Sequence, residues 1–288
     1  MTAARWRRLV PAAVGLAALV GLVAFGDPRR ILALLRDLNP RWLLPGFGLL
    51  LLGVLARAAQ WLLLSRALAV SAPSSRLLPA FLTGQVARSL PGGAVLQALV
   101  VGAEVPDLGA VTCVSITILL TEIGVALVGA LALNAYGWPW LRPAAAGFAA
   151  GGAVALVLVR TTRRLPRLDA FARLLRRLWM PRVVLANAAL AALALVAAGA
   201  ALGTVLSGLG ASVPPYKALG AHVLGVAAFL LVPIPLDVGG PEIATSAALI
   251  AIGVDRGAAV SAVLLMRVLG LAASVVAAAG GALAQRFA

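Results

Sequence analysis

The sequence predicts an all-α, polytopic transmembrane bundle of about six spans with two oppositely oriented re-entrant hairpins, arranged as an inverted repeat. Three observations carry this. Of 288 residues, 62% are hydrophobic and only 11% charged, with a mean hydropathy of +1.05; soluble domains carry about 25% charged residues. Apolar runs of helical length recur along the whole chain, as a bilayer that needs about 20 residues per helix requires. Two of the runs are broken, one by Pro91-Gly92-Gly93 and the other by Pro233, Pro235, Gly239, Gly240 and Pro241. No helix passes such a cluster with its hydrogen bonds intact, and broken backbone at membrane depth is tolerated only where protein or water satisfies it. Interrupted segments of this kind mark substrate sites in transporters.

The net charge of +15 and the pI near 11.9 would suggest nucleic acid in a soluble chain. Here the basic residues, all Arg except Lys217, gather at segment ends, where they face the cytoplasm and anionic headgroups. Nucleic-acid binding, disorder and a soluble enzyme are excluded on this ground. Cys113 has no partner for a disulfide or a cysteine metal site, and His222, the lone histidine, reads as a satisfied or partly exposed side chain in an apolar arm. No cofactor and no metal are expected.

In chain order, Leu9–Gly26 behind Arg5, Arg7 and Arg8 is a first span, read as uncleaved because it exceeds a signal-peptide core and lacks a clear cleavage site. Pro28–Pro40 carries Arg29, Arg30, Arg36 and Asp37 among leucines and suits an interfacial amphipathic helix. Leu43–Leu64 is the second span. Leu77–Leu90 and Ala94–Gly102 flank the first break and are each too short to cross. Leu108–Tyr136 spans, and Trp138 and Trp140 anchor its end; Pro143–Val159 spans next. Arg160–Arg182 holds eight Arg against the single acid Asp169, so it belongs in the cytoplasm. Val183–Leu206 spans, Gly208–Lys217 is an outer loop, and Ala218–Leu231 and Ile243–Gly253 are the arms of the second hairpin. Gly257–Leu283 is the last span.

That assignment places both termini, Arg66 and Arg76 in the cytoplasm only if one hairpin enters from each side. Residues 1–288 then form one domain: 1–40 the first span and interfacial helix, 43–136 a first repeat, 143–182 a linking span and basic loop, 183–286 the same unit inverted. Glu122 follows Gly92 by 30 residues and Arg267 follows Gly239 by 28, so the two charges fall at matching depths.

The run Pro233-Ile234-Pro235-Leu236-Asp237-Val238-Gly239-Gly240-Pro241-Glu242, with Ala247–Gly253 and Ala262–Gly270 after it, resembles the P-x-P-G-G-x-G-x-x-E … LLGV … LLYR pattern of the lysylphosphatidylglycerol synthase membrane-region family. Leu90-Pro91-Gly92-Gly93-Ala94 is similar to an earlier loop of that family, and Glu122 stands where its Glu-Arg pair begins, with Ile123 in place of the Arg. The resemblance covers roughly residues 40–285. It implies movement of a lipid, or of a lipid-linked anionic or aminoacylated headgroup, across the cytoplasmic membrane. Larger members add a soluble aminoacyl-transferase domain, and no such domain is read in these residues. Leu236 and Asp237 replace two glycines of the pattern, which makes the turn stiffer and more acidic.

Charges at bilayer depth cost at least about 2.5–3.5 kcal/mol each to insert, which makes them functional candidates. Arg267 and Glu242 head the set as a substrate-binding or structural pair, joined by Asp237, Gly239 and Gly240 at the second break. Arg57, Arg88, Pro91, Gly92 and Gly93 complete the expected substrate site, Arg57 and Arg88 either meeting a lipid phosphate or snorkelling to the inner face. Glu122 and Asp237 are the proton-relay candidates, and Asp237 also suits a cap for the helix that starts near Pro241. Gly199/Gly203 and Gly147/Gly151 would allow close helix packing.

No ATP-binding motif and no nucleophile–base set is visible, so the expectation is a transporter or flippase and not an enzyme. Its partner is a membrane phospholipid or polyprenyl-linked lipid; a homo-oligomer and a separate lipid-modifying enzyme stay open as further partners. The alternatives are a secondary transporter of a small anion and a non-catalytic partner of a lipid-modifying enzyme. The expected location is the inner (cytoplasmic) membrane, multi-pass, with both termini cytoplasmic. An Ala170→Cys variant should react with impermeant maleimide only from the cytoplasmic side, and strong labelling from the periplasm would overturn the arrangement.

Overall fold

In the computed structural model, residues 17, 19–70, 72–88, 97, 100–102, 108–133, 177–231 and 240–287 are described, and among them the regular structure is entirely helical. Residues 19–25 are helical and lead into α1 (Pro28–Arg36). A 3-10 turn at Pro40–Trp42 opens α2 (Leu43–Ala67). Then come α3 (Ser74–Arg88), α4 (Leu108–Leu133), α5 (Pro181–Gly208), α6 (Pro215–Leu231), α7 (Gly240–Ala251) and α8 (Arg256–Phe287).

Four stretches are long and apolar enough to cross a membrane: Pro40–Ala67, Gly109–Gly129, Pro181–Gly208 and Arg256–Ala284. They match four of the six expected spans. Of the other two, 143–159 lies outside the described residues, as does half of 9–26, and so do both hairpin tips and residues 160–176 of the basic loop. The spanning helices turn large apolar side chains outward, among them Leu44, Leu55, Leu185 and Val268, each more than 45% exposed. In water such surfaces would drive association; in lipid they are the solvated face. The shorter α3, α6 and α7 have 15, 17 and 12 residues, below the span length.

The local signals of the sequence account for the ends. Asp27 caps α1, its Oδ1 accepting from Arg29 N at 3.0 Å, with Pro28 in the first turn, where a missing N–H costs nothing. Asn39 does the same for the 3-10 turn, accepting from Arg41 N at 3.1 Å. At the end of α7, Gly253 takes φ +93° and Val254 N donates back to Leu249 O at 3.0 Å, a turn that reverses the chain within a few residues. Asp255 then caps α8, its Oδ2 accepting from Ala258 N at 3.2 Å.

Two apolar clusters organise the bundle. One joins α5, α6, α7 and the first half of α8 around Leu206, Leu224, Leu249 and Ala259. The other joins α2, α3, the start of α4 and the second half of α8 around Trp61, Leu64, Phe81 and Val114. Gly208 O accepts from Asn39 N at 3.1 Å, and Asp255 meets Arg30 at 3.7 Å, so the α5–α6 and α7–α8 connections both lie at the end of the bundle that α1 covers. The pair α6 and α7 therefore leaves that end and returns to it.

Two sequence expectations change here. Gly208 is not an outer-loop residue but the last residue of α5, where an added Cβ would stand 3.1 Å from Trp42 Cβ. Pro215, read as loop, opens α6. Close helix approach is real at Gly199, where a Cβ would fall 2.8 Å from Leu219 Cα; Gly147 and Gly151 lie outside the described residues. The tightest contact joins the two short helices: a Cβ on Gly225 would collide with Thr245 Oγ1 and stand 3.1 Å from Pro241 O. Gly225→Val should lower the stability of the purified protein by about 1–3 kcal/mol, the usual range for overpacking. Gly48→Ala, at a position open for 4 Å around, should be neutral or stabilising by up to about 1 kcal/mol. Thermal unfolding in detergent checks both signs.

Candidate functional site

Four of the charges that the sequence puts at membrane depth come together. Arg57, near the middle of α2, donates from Nε to Glu122 Oε1 of α4 at 2.6 Å. Arg267, inside α8, donates from Nη1 to Glu242 Oε1 in the first turn of α7. Both carboxylates are nearly enclosed, with side-chain exposures of 4% for Glu122 and 10% for Glu242, while Arg57 and Arg267 keep 28% and 21%. The acids are thus the buried members, and the guanidinium groups reach toward open space. That asymmetry suits the chemistry, since a guanidinium is planar, holds its charge at any relevant pH and carries five donors.

The open space is a cavity of about 290 Å³. Its polar lining is Arg57, Gln85, Glu122, His222, Arg267 and Ser274, drawn from α2, α3, α4, α6 and α8, and Pro241 closes it from α7. The remaining wall is apolar, including Val54, Leu119, Ile123 and Val226. A few convergent polar groups in an apolar surround is the usual composition of a small-ligand site.

Arg57 meets Glu122 through Nε. Its terminal nitrogens make no hydrogen bond among the described residues. Glu122 and Arg267, at matching places in the sequence, pair with different partners and not with each other. Gly240 is the first residue of α7, one position before Pro241 at the cavity wall. Arg88 ends α3 one turn beyond Gln85, and its side chain lies outside the described residues, as do Pro91, Gly92, Gly93, Asp237 and Gly239.

Three features escaped the sequence reading. His222 is partly exposed, one of the two expected alternatives, but its Nε2 is shielded from solvent and has no hydrogen-bond partner among the described residues. Gln85 stands at the cavity wall, 5% exposed. Behind the cavity a buried amide network ties three helices: Gln60 Nε2 donates to Asn187 O at 3.2 Å and Oδ1 at 3.0 Å, and Asn187 Nδ2 donates to Thr121 Oγ1 at 2.8 Å. Gln60 lies one turn after Arg57, and Thr121 directly precedes Glu122. The network therefore fixes how α2 and α4 are rotated against each other, and with it the geometry of the Arg57–Glu122 pair. The available signal was the type of residue, since amides inside apolar spans find partners across helices.

No significant match is found among curated proteins or among solved structures. The family model of the lysylphosphatidylglycerol synthase TM region matches residues 12–278, a stretch that contains every residue of the cavity, and the chain is a multi-pass membrane protein belonging to that family.

Proposed function

We propose that this protein moves a phosphate-bearing amphiphile across the cytoplasmic membrane, the headgroup passing through the cavity while the acyl chains stay in lipid. The observation that carries the reading is the placement of Arg57 and Arg267 at one cavity, each held by a buried carboxylate. A phosphate is best held by paired N–H donors, which guanidinium groups supply. Glu122 and Glu242 keep the empty site electrically balanced. The cavity's 290 Å³ is small on the scale of ligand pockets, room for a headgroup and not for a diacyl lipid.

In this reading α6 and α7 form a re-entrant hairpin from the periplasmic side, α3 begins the matching hairpin from the cytoplasm, and the halves 43–136 and 183–286 are inverted repeats with both termini in the cytoplasm. Arg88, Pro91, Gly92, Gly93, Asp237 and Gly239 contribute to substrate binding in this reading. Alternating exposure follows if the halves rock about the cavity, as in other inverted-repeat transporters. The volume also suits a small soluble anion taken up whole, and that second reading is separated by experiment.

Reconstituted protein should make fluorescent anionic phospholipid in the inner leaflet of proteoliposomes accessible to dithionite. Arg267→Lys should fold and move lipid about tenfold more slowly, the effect of about 1.4 kcal/mol lost with a two-pronged contact. Arg267→Ala should in addition lower stability, toward the about 3–5 kcal/mol seen when a buried carboxylate loses its partner. Wild type that moves no lipid but takes up phosphate favours the small-anion reading. Lysine working as fast as arginine excludes the phosphate clamp.

A further inference from the structure

We propose that His222 is a proton site that couples anion capture to the release of Arg57 from Glu122. The inference rests on the anion-carrying reading of the cavity and adds the means by which the closed site opens. His222 lines the cavity from the middle of α6. Its Nε2 is buried without a partner among the described residues, an expensive arrangement for a group that could have been leucine. Arg57 and Glu122, the two members of one ion pair, line the same cavity as its imidazole.

Among the described residues, the other elements around α6 contribute little competing charge. Glu242 of α7 is held by Arg267 of α8, α5 has no ionisable side chain after Arg182, and the ionisable residues of α6 itself, Tyr216 and Lys217, stand in its first turn.

Consider the two protonation states. With a neutral imidazole, Arg57 is drawn to Glu122. When a proton from water charges the imidazole, Glu122 gains a further cation and can turn to His222, while Arg57 and the imidazolium repel each other. Arg57 then turns its guanidinium toward an entering phosphate, whose negative charge balances the added proton. Anion and proton each make the other's binding more favourable, and the coupling is reciprocal by necessity.

The ligand chemistry is a phosphate group, from a lipid headgroup or as the free ion, and two probes distinguish the sources. The full chain, purified in detergent, is titrated calorimetrically with short-chain phosphatidylglycerol and, separately, with inorganic phosphate. Titrations run across about pH 5 to pH 8, in buffers of different ionisation heat, so that protons taken up per anion are counted. The expected result is affinity that strengthens as pH falls, by up to about tenfold per pH unit where one proton is taken up. In His222→Gln and His222→Asn that slope and the proton count should vanish, leaving binding no tighter than that of wild type at about pH 8. Uptake seen with the lipid alone names a lipid headgroup; uptake seen with phosphate alone names the free anion. Wild type that binds neither probe, or binds without proton uptake, overturns the proposal even if both variants fail to fold. An unchanged slope in either folded variant overturns it as well. Proton-coupled binding that depends on His222, in protein that moves no lipid in proteoliposomes, keeps this inference and removes the lipid-transport reading.

Discussion

The constraint on which this structure depends is that charge placed in a low-dielectric interior must be neutralised where it stands. A lone carboxylate or guanidinium inside the bundle would cost several kcal/mol, and among the described residues two buried carboxylates each meet a partly exposed guanidinium there. Pairing Arg57 with Glu122 locks α2 to α4, and pairing Arg267 with Glu242 locks α7 to α8. Such pairs are weak evidence for stability, since an apolar replacement of similar shape often does as well. What they supply is specificity of arrangement. With each pair intact, the polar faces of these helices can point only toward the cavity, and their apolar faces are left for the two core clusters and for lipid.

The amide network explains how one of these pairs keeps its geometry. A long arginine side chain loses much rotamer freedom when fixed, and an exposed ion pair rarely repays that loss. Arg57 is partly exposed, so the positions of α2 and α4 must be set by something else. Gln60, Asn187 and Thr121 set them, with α5 as the third strut. α5 contributes nothing to the lining of the cavity, yet it carries the residue on which both neighbours converge. The other half uses close packing for the same purpose: with no side chain on Gly225, α6 and α7 meet at Thr245 and the Pro241 carbonyl, and the start of α7 is held beside the cavity.

How legible this was in the sequence follows from hydropathy. Arg57, Glu122, Glu242 and Arg267 were readable because a full charge interrupts an apolar run unmistakably, and the family resemblance rested on the same residues. Four of the spans were readable for the complementary reason. His222, Gln85, Gln60 and Asn187 were harder to see, because a neutral polar side chain hardly alters the hydropathy of a span and only the fold reveals what faces it. Gly208 was misread on local grounds: glycine beside Leu209 and Gly210 looks like a turn, and only the approach of Trp42 and Asn39 shows why a helix ends there without a side chain. Pairing was likewise not available from depth alone. Glu122 and Arg267 sit at matching sequence positions, but the rotations of four helices decide which groups touch.

A site closed by two ion pairs faces a difficulty that its electrostatics make plain. Both pairs together are neutral, so an anion that enters alone leaves the cavity with an uncompensated negative charge in an apolar wall. It must either displace a carboxylate from an arginine or bring a cation with it. Displacement takes a guanidinium from Glu122 or Glu242, each more enclosed than its arginine, and a buried carboxylate that loses compensation is costly. Supplying a proton with the anion avoids it. Both carboxylates are engaged in holding a guanidinium. The imidazole of His222, beside one pair and engaged by neither, is the group in the described site that can take a proton without breaking what holds the helices together.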